Sequence, residues 1–597
     1  MAAYQAPVLD IQFVMAEVAG LGDVAALPGY GEASPDLVSQ ILTEAARFAG
    51  EVLAPLNRPG DAAPSRLENG VVRTPDGFAA AYRGFVESGW NAVPFEPEHG
   101  GQGLPWTVAI ALQEMWNSAN MSFALCPLLT QGAVELLQIH GSPEQKRTYL
   151  APLVEGRWTG TMNLTEPQAG TDLGAIRTRA VRDGDGYRIV GQKIFITYGE
   201  HDLAENIVHM VLARTPDGPP GVKGVSLFIV PKHLPDAGGR PGRRNDLRCV
   251  SLEHKLGIKA SPTCVMSYGD DGGARAYLVG EENRGVEYMF TMMNNARLSV
   301  GVQGLAIGER AFQQARDYAQ ARVQSRAAGA RSAEPVAIVR HPDVRRMLMT
   351  MRASVEAMRG LVYYAAGALD RAKRHPDDAE RLRQQAVVDL LIPVVKGWCT
   401  DQGVAVASLG IQVHGGTGFI EETGAAQHLR DARIAPIYEG TNGIQANDLV
   451  GRKLMRDGGA AARAFLQELR STADALSADG DAGRALGGRL GAATEALDRA
   501  TRWLLEALPR DPDLALAGAS PYLTLFGTVA GGWTLARQAQ AAMRLAAADG
   551  DADQQFLMNK IATARFYADN LLCAAPGLAS QVTDGGDSTL AIAPELV

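Results

Sequence analysis

The sequence predicts a mainly α-helical protein with one central β-domain. Before about residue 158, apolar residues recur at helical spacing, as in Val108, Leu112, Met115 and Ala119. From about Thr159 the pattern changes to short runs rich in β-branched residues, separated by glycine and proline. Long stretches of helical spacing then return and continue towards the end of the 597-residue chain. These three observations define the fold class.

The chain is too long for a single hydrophobic core, and the changes in pattern divide it into four predicted domains. They are an N-terminal α-helical domain at 1–158, a β-domain at 159–283, a helical bundle at 284–455 and an additional helical domain at 456–597.

The predicted elements follow in chain order. The first domain contains helical patterns over 36–56 and 75–157, with a loop rich in proline and glycine between Trp90 and Trp106. The predicted strands of the β-domain are Tyr187–Val190, Ile194–Thr197, Ile207–Leu212 and Ser226–Val230. The bundle is predicted to contain helices over about 284–327, 340–374 and 378–410, followed by a glycine-rich break at Gly415–Gly418. The last domain is rich in alanine, and breaks are expected near Gly480–Gly488 and Pro509–Pro521.

Composition excludes several classes of protein. A net charge of −9 argues against a chain that mainly neutralises nucleic-acid phosphates. No uninterrupted apolar run of about 20 residues is found, so no integral membrane association is expected. The first twenty residues contain no Lys or Arg, which is unlike a secretory signal and predicts a cytoplasmic protein. The five cysteines lie far apart without a CxxC pair, so neither a disulfide framework nor a metal site is expected.

One carboxylate is the candidate general base. The segment Ile434–Gln445 reads I-A-P-I-Y-E-G-T-N-G-I-Q and places Glu439 in an apolar stretch just before a predicted helix. Apolar surroundings disfavour the charged form of a carboxylate and raise its pKa, which suits it to take a proton. The alternative interpretation is a helix-start carboxylate that is favoured by the helix dipole.

A second pattern could hold a polar ring edge. Thr165–Asp172 reads T-E-P-Q-A-G-T-D, with hydroxyl groups near both ends, and F-I-T-Y follows at Phe195–Tyr198. Backbone amides and hydroxyl groups are suitable donors for such a ligand. Each segment alone is also typical of a plain turn or strand, because Thr, Gly and Pro are common there.

Together these segments resemble the acyl-CoA dehydrogenase family, and the similarity runs from about Trp90 to Arg452. The chain length and the additional C-terminal domain resemble the family's branch of roughly 600 residues, which includes 3-methylmercaptopropionyl-CoA and broad-range fatty acyl-CoA dehydrogenases. Further motifs in the same order are G-Q-K-I-F-I-T at Gly191–Thr197, H-K-L-G-I-K-A-S-P-T at His254–Thr263, N-N-A-R at Asn294–Arg297 and Q-V-H-G-G-T-G-F at Gln412–Phe419.

The resemblance implies an acyl-CoA dehydrogenase fold and bound FAD. Glu439 matches the catalytic base, and its backbone N–H, with a flavin hydroxyl, would bind the thioester carbonyl. Asn294, Arg297 and Tyr438 match the substrate side. Residues that match contacts to the flavin ring and pyrophosphate are Met162, Leu164, Thr165, Thr171, Phe195, Thr197 and Thr441. Residues that match contacts to the adenosine half of an FAD shared with a neighbouring subunit are Arg322, Gln412, Gly415 and Gly416. The minimum assembly implied is therefore a homodimer.

The implied reaction is α,β-dehydrogenation of an acyl-CoA thioester to the trans-2-enoyl-CoA, with electrons passed to an electron-transfer flavoprotein. Two departures concern the cofactor. Phe195 stands where many members have Trp, and the frequent R-x-x-F-G appears as R-V-Q-S-R at Arg322–Arg326, with Ser325 in place of the aromatic residue. Gly443 stands where shorter members often carry Gln. The acyl chain stays open between 3-methylmercaptopropionyl, medium-chain and long-chain thioesters.

Four other functions share this architecture. An acyl-CoA oxidase would pass electrons to oxygen, and a nitroalkane oxidase would usually have Asp as its base. A DNA-binding alkylation-response flavoprotein should have a strongly basic C-terminal domain, whereas the stretch after residue 451 is mixed and slightly acidic. A catalytically silent acyl-CoA-binding scaffold would not need the intact base.

Overall fold

The computed structural model of the protein describes residues 4–329, 334–548 and 553–597. It confirms a mainly α-helical chain with a central β-domain. The chain forms two compact units. One comprises Met1–Ala46, Pro105–Ser118 and Arg297–Val597, and the other comprises Arg47–Leu104 and Ala119–Ala296.

The N-terminal part is helical, with one small hairpin. Its helices are α1 (Val8–Val14), α2 (Leu21–Ala25), α3 (Pro35–Phe48), α4 (Ala54–Ala62), α5 (Phe78–Glu87), α6 (Trp106–His140) and α7 (Pro143–Glu155). The hairpin pairs β1 (Arg66–Glu68) with β2 (Val71–Arg73) through Asn69 and Gly70, both at positive φ. Sequence reasoning missed this hairpin, although Asn-Gly is a strong signal for such a turn.

Helix α6 is long and apolar enough to cross a membrane, with a mean hydropathy of 1.3 over its most apolar window. However, 89% of that window is buried inside the protein, as in the core helix of a globular protein. The backbone leaves helical geometry at Asn120 (φ −160°, ψ 89°), so α6 is two helical segments joined at a kink.

The β-domain contains an eight-stranded sheet in the order β10-β11-β5-β12-β7-β6-β3, with β4 paired to β5 and β6. All pairings are antiparallel except those of β6 with β3 and β4. A separate hairpin joins β8 and β9. The strands are β3 (Trp158–Asn163), β4 (Arg179–Asp183), β5 (Gly186–Thr197), β6 (Asn206–Arg214), β7 (Val225–Pro231), β8 (His233–Pro235), β9 (Pro241–Arg244), β10 (Leu247–Leu252), β11 (Thr263–Tyr268) and β12 (Ala274–Leu278).

Long helices form the remainder of the chain. They are α8 (Gly285–Ala321), α9 (Pro342–Arg374), α10 (Asp378–His414), α11 (Ala425–Ala432), α12 (Asn442–Asp448), α13 (Ala460–Ser477), α14 (Gly480–Ala507), α15 (Pro512–Ala517), α16 (Ala519–Ala547), α17 (Gln554–Asn570), α18 (Ala575–Asp584) and α19 (Gly586–Thr589). Helix α9 packs against α10, α16 and α17, so the C-terminal helices share one unit with the bundle.

A buried cluster of charges crosslinks this unit. The Arg359 guanidinium on α9 donates to carboxylates of Glu114 and Glu309, at 2.6 and 2.7 Å, and to Asp10 at 2.5 Å. Lys560 on α17 donates to Glu356 at 2.9 Å. A buried charge is tolerated only where it is paired, so these contacts fix how the helices pack.

The break predicted near Gly480–Gly488 lies at the start of that segment, because α13 ends at Ser477 and α14 begins at Gly480, whose φ is 64°. The later glycines of the segment lie within α14. A Cβ atom on Gly487 would lie 2.3 Å from Oγ of Ser477 and 2.5 Å from the Ala473 carbonyl oxygen. Glycine here allows α14 to pack closely against α13, rather than ending a helix.

Candidate active site

Glu439 lies in a tight turn between α11 and α12. Its backbone has φ 56°, and that of Gly440 has φ 83°, so two successive residues adopt the left-handed conformation. For Glu439 this conformation is strained, and strained residues persist only where the surroundings hold them. Thr441 caps α12 by accepting a hydrogen bond from the Ile444 N–H at 3.3 Å.

Three side chains of the same unit hold the backbone of this turn. The carbonyl oxygen of Glu439 accepts hydrogen bonds from Nε2 of Gln445 at 3.2 Å and from Nε of Arg297 at 3.4 Å. Nζ of Lys396 donates to the carbonyl oxygen of Gly440 at 2.7 Å. The structure therefore brings Arg297, one of the residues assigned to the substrate side, to the turn that carries Glu439.

The carboxylate and the backbone N–H of Glu439 are available to bind a ligand. Within the described residues, no hydrogen bond reaches its carboxylate, and its backbone N–H has no acceptor. Burial raises the pKa of Glu439, while the charges of Arg297 and Lys396 act in the opposite direction. A half-buried carboxylate with a raised pKa is suited to proton transfer.

Tyr438 and Asn294, the two other residues assigned to the substrate side, differ in their surroundings. The hydroxyl of Tyr438 donates to Oε1 of Gln303 on α8. Burial raises the pKa of Tyr438, so this phenol stays protonated. Asn294 is half-buried on α8 and belongs to the compact unit that contains the β-domain.

The residues assigned to the flavin ring lie together in the β-domain. Met162 is on β3, and Leu164 and Thr165 follow it directly. The Ile194 N–H on β5 donates to the Thr165 carbonyl oxygen at 3.0 Å, and the Thr161 hydroxyl donates to the Thr197 carbonyl oxygen at 2.7 Å. Strand β5 and the loop after β3 are therefore neighbours.

Phe195 and Thr171 are accessible in this region. Phe195 sits in a bulge of β5, where Ile194 and Phe195 together face only Val265 of β11, and its φ is 60°. Bulges re-aim side chains, and the Phe195 ring is 58% exposed. Thr171 is exposed, and within the described residues its hydroxyl forms no hydrogen bond. An exposed aromatic ring and a free hydroxyl fit the flat ring and pyrophosphate of FAD.

Sequence reasoning missed an ion pair that holds the loop. The Glu166 carboxylate accepts hydrogen bonds from the backbone N–H groups of Arg177 (2.7 Å) and Thr178 (3.1 Å) and from Nζ of Lys193 (2.8 Å). Burial acts to raise the pKa of Glu166, but Lys193 and the N–H donors lower it to about 2. Lys193 also donates to the Leu164 carbonyl oxygen at 2.8 Å. A charged residue at a buried strand position is the signal that could have revealed this pair.

The residues assigned to adenosine lie on the surface. Arg322, Gln412, Gly415 and Gly416 are all exposed. The Tyr318 ring on α8 stacks on His414 of α10, with centroids 4.4 Å apart, and the Thr417 hydroxyl donates to the Tyr318 hydroxyl at 3.1 Å. These contacts bring the end of α8, which precedes Arg322, to the glycine-rich turn. Thr441 is also exposed, and its main contact is the α12 cap.

Four family models match consecutive parts of the chain. They are the acyl-CoA dehydrogenase N-terminal domain at 38–157, the middle domain at 161–270, the C-terminal domain at 283–454 and the acetyl-CoA dehydrogenase C-terminal-like model at 465–593.

Individual relatives extend over nearly the whole chain. It is 52% identical to the 3-methylmercaptopropionyl-CoA dehydrogenase of Ruegeria pomeroyi over 98% of this chain and 99% of that protein. It is 35% identical to a broad-specificity linear acyl-CoA dehydrogenase of Mycobacterium tuberculosis over 96% of each chain. Its fold resembles that of an acyl-CoA dehydrogenase from Bacillus anthracis solved with FAD, with a TM-score of 0.74, 20% identity and coverage of 93% of this chain and 89% of that chain.

Fold, family models and full-length relatives agree. The chain belongs to the acyl-CoA dehydrogenase family and is an FAD-dependent oxidoreductase that acts on a CH–CH bond of an acyl-CoA thioester.

Proposed function

We propose that Glu439 is the base that removes the α-proton and that 3-methylmercaptopropionyl-CoA is the preferred thioester. The supporting observation for the base is the half-buried, unbonded carboxylate of Glu439 on a turn held by Arg297, Gln445 and Lys396. The thioester is proposed from the similarity to the Ruegeria pomeroyi enzyme over nearly the full length of both chains.

The residues of this chain would act on the substrate in two ways. The backbone N–H of Glu439 is free to donate to the thioester carbonyl, which stabilises negative charge on that oxygen and makes the α-proton more acidic. The Glu439 carboxylate then takes the proton, because its raised pKa brings its basicity closer to neutral pH. Arg297 and Gln445 hold the peptide group of Glu439, so the donor and the base are placed together.

FAD, when bound, supplies the acceptor for the β-hydride. We propose that Met162, Leu164, Thr165, Phe195 and Thr197 hold its ring, and that Thr171 and Thr441 bind near it. For the adenosine side we propose Arg322, Gln412, Gly415 and Gly416. Asn294 and Tyr438 are proposed to line the path of the thioester.

The substrate test is anaerobic bleaching of the bound flavin by a panel of thioesters: 3-methylmercaptopropionyl-CoA, butyryl-CoA, octanoyl-CoA and palmitoyl-CoA. We expect 3-methylmercaptopropionyl-CoA to give the highest ratio of the limiting rate of flavin reduction to the thioester concentration at half-saturation. A higher value for octanoyl-CoA or palmitoyl-CoA would contradict the proposed substrate and favour a longer-chain enzyme. Rapid reoxidation by air after turnover would favour an oxidase.

The rate of flavin reduction is expected to rise with pH. Proton removal needs ionised Glu439, and because burial raises its pKa, the inflection should lie above the ordinary value of 4.5. Stopped-flow reduction at saturating thioester over a pH series measures this inflection. A rate that is independent of pH, or that falls as the pH rises through this range, would contradict Glu439 as the base.

We also propose a cytoplasmic homodimer that passes electrons to an electron-transfer flavoprotein. The exposed adenosine-side residues, and Phe419 beside them at 85% exposure, are consistent with coverage by a second copy. Sedimentation of FAD-loaded protein should give the mass of a dimer. A monomer that retains FAD and activity would contradict the shared cofactor site.

A further inference from the structure

A buried lysine on α10 contacts the turn that carries Glu439. Lys396 lies on α10, and its side chain is fully buried. Nζ donates to the Gly440 carbonyl oxygen at 2.7 Å and to Oδ1 of Asn442 at 2.8 Å. Lys396 therefore binds the residue directly after Glu439 and the first residue of α12.

Asn442 extends this contact to other parts of α10. Its Nδ2 donates to Oδ1 of Asp401 at 2.8 Å and to the Gly397 carbonyl oxygen at 3.0 Å. The charged groups that act on Lys396 are Glu439 and Asp401, which favour its protonated form, and Arg297, which opposes it. Lys396 and Asn442 together thus join α10 to the turn that carries the base.

The next two residues of α10 contact the C-terminal helices. A Cβ atom on Gly397 would lie 2.8 Å from Cδ1 of Leu523 on α16. Trp398 is buried against two glycines of α16: added Cβ atoms would lie 2.1 Å from its ring at Gly527 and 2.7 Å from its ring at Gly531. Helix α16 also packs on α12. It therefore contacts the helices on both sides of the Lys396 bridge.

We propose that Lys396 is a positioning residue for Glu439, and that α16 fixes Lys396 through Trp398. The C-terminal helical segment thereby helps to set the geometry of the catalytic turn. This inference rests on the proposed role of Glu439 and extends it to a part of the chain remote from the flavin contacts.

The positive charge of Lys396 also influences the pKa of Glu439. A cation near a carboxylate favours its ionised form, so removing the cation raises the pKa of the carboxylate. Burial lowers the pKa of Lys396 to about 7, against the influence of Glu439. Lys396 and Glu439 are therefore expected to titrate as an interacting pair.

The first test replaces Lys396 by Met, which keeps most of the unbranched side chain and removes its charge and donors. We expect the limiting rate of flavin reduction at pH 7 to fall about tenfold to a hundredfold, the range caused by a small misplacement of a reacting group. The inflection of the pH profile should move to higher pH, while FAD content and thioester affinity stay near wild type. Lys396→Arg keeps a cation and should return the inflection towards the wild-type position.

A folded, FAD-loaded Lys396→Met protein with the wild-type rate and inflection would overturn the proposal. Loss of FAD with an unchanged inflection in the remaining active protein would also overturn it, because that result indicates a structural role only. Flavin reduction by the wild-type protein and by Glu439→Gln is measured in parallel. If the wild type is reduced and Glu439→Gln is not, the proposed base stands. An unchanged Lys396→Met protein would then contradict only the positioning role of Lys396.

The second test changes the packing of α16 against Trp398 and leaves Lys396 in place. It tests the proposal even if Lys396→Met does not fold. Gly531→Ala places a methyl group 2.7 Å from Cη2 of Trp398, whereas Gly488→Ala adds one on α14 with no atom within 4 Å. We expect slower flavin reduction only in Gly531→Ala, and recovery in the double variant with Trp398→Phe, because Phe lacks the outer ring of Trp. Equal rates in Gly531→Ala and Gly488→Ala, or no recovery in the double variant, would overturn the link through Trp398.

Discussion

Glu439→Gln should reduce the flavin at a rate lower by a factor of about 10² to 10⁴, the usual contribution of a general base. Gln has nearly the size of Glu and leaves the backbone N–H in place, but it cannot accept the α-proton. Within the described residues, no second carboxylate lies in the turn to replace it. Stopped-flow reduction by a good thioester measures the effect.

The control for this variant is its cofactor and substrate binding. The residues proposed to hold the flavin ring lie in the β-domain, so FAD content should stay near wild type, and the thioester should still bind. Reduction by the Gln variant at nearly the wild-type rate would mean that Glu439 is not the base, even though the family assignment would stand.

Lys193→Met is expected to destabilise the β-domain by about 3 to 5 kcal/mol, the cost of leaving one partner of a buried ion pair uncompensated. The Glu166 carboxylate would keep its two backbone donors but lose Lys193 at 2.8 Å. Because the pair holds the loop from Thr165 to Asp172, FAD content should fall as well. Thermal unfolding and the flavin absorbance of the purified protein measure the two effects.

Two matched variants control for the substitution itself. Lys223 is an exposed lysine of the same unit, and Lys223→Met should leave the melting temperature nearly unchanged. The double variant Lys193→Met with Glu166→Gln removes the unpaired charge and should recover part of the lost stability. Equal melting temperatures for Lys193→Met and Lys223→Met would refute the structural role of the pair.

Periodicity predicted the elements that depend on local pattern. The helical spacing of Val108, Leu112 and Met115 lies within α6, and the predicted runs Ile207–Leu212 and Ser226–Val230 lie within β6 and β7. The two runs predicted around Gly191 are one strand, β5, because Gly191 continues the strand at φ 156°, a conformation that glycine adopts readily. The predicted break near Gly480–Gly488 occurs where α14 begins, but Gly483 and Gly487 lie inside that helix. In a sequence, glycine is usually interpreted as the end of a helix or strand. The close packing that requires a glycine inside an element is visible only in the structure.

The motif and the resemblance predicted Glu439 and Arg297, but not the contacts that hold the peptide group of Glu439. Gln445 ends the same motif and reaches back to the Glu439 carbonyl oxygen, and Arg297 reaches it from α8. Lys396 lies on a separate helix, 43 residues before Glu439, and its local sequence gives no signal for the contact. For the pair of Glu166 and Lys193, the strand pattern marks only that a charged residue stands at a buried position, whereas its partner is set by long-range packing.

The most direct test of the central claim uses a thioester that carries two deuterium atoms on its α-carbon. After anaerobic mixing with FAD-loaded protein, flavin absorbance and product mass are followed together. The account predicts slower bleaching than with the protiated thioester, and a trans-2-enoyl-CoA that retains one of the two deuterium atoms. Bleaching at an unchanged rate with both deuterium atoms retained, or no bleaching by any thioester of the panel, would contradict α-proton removal as the reaction of this site.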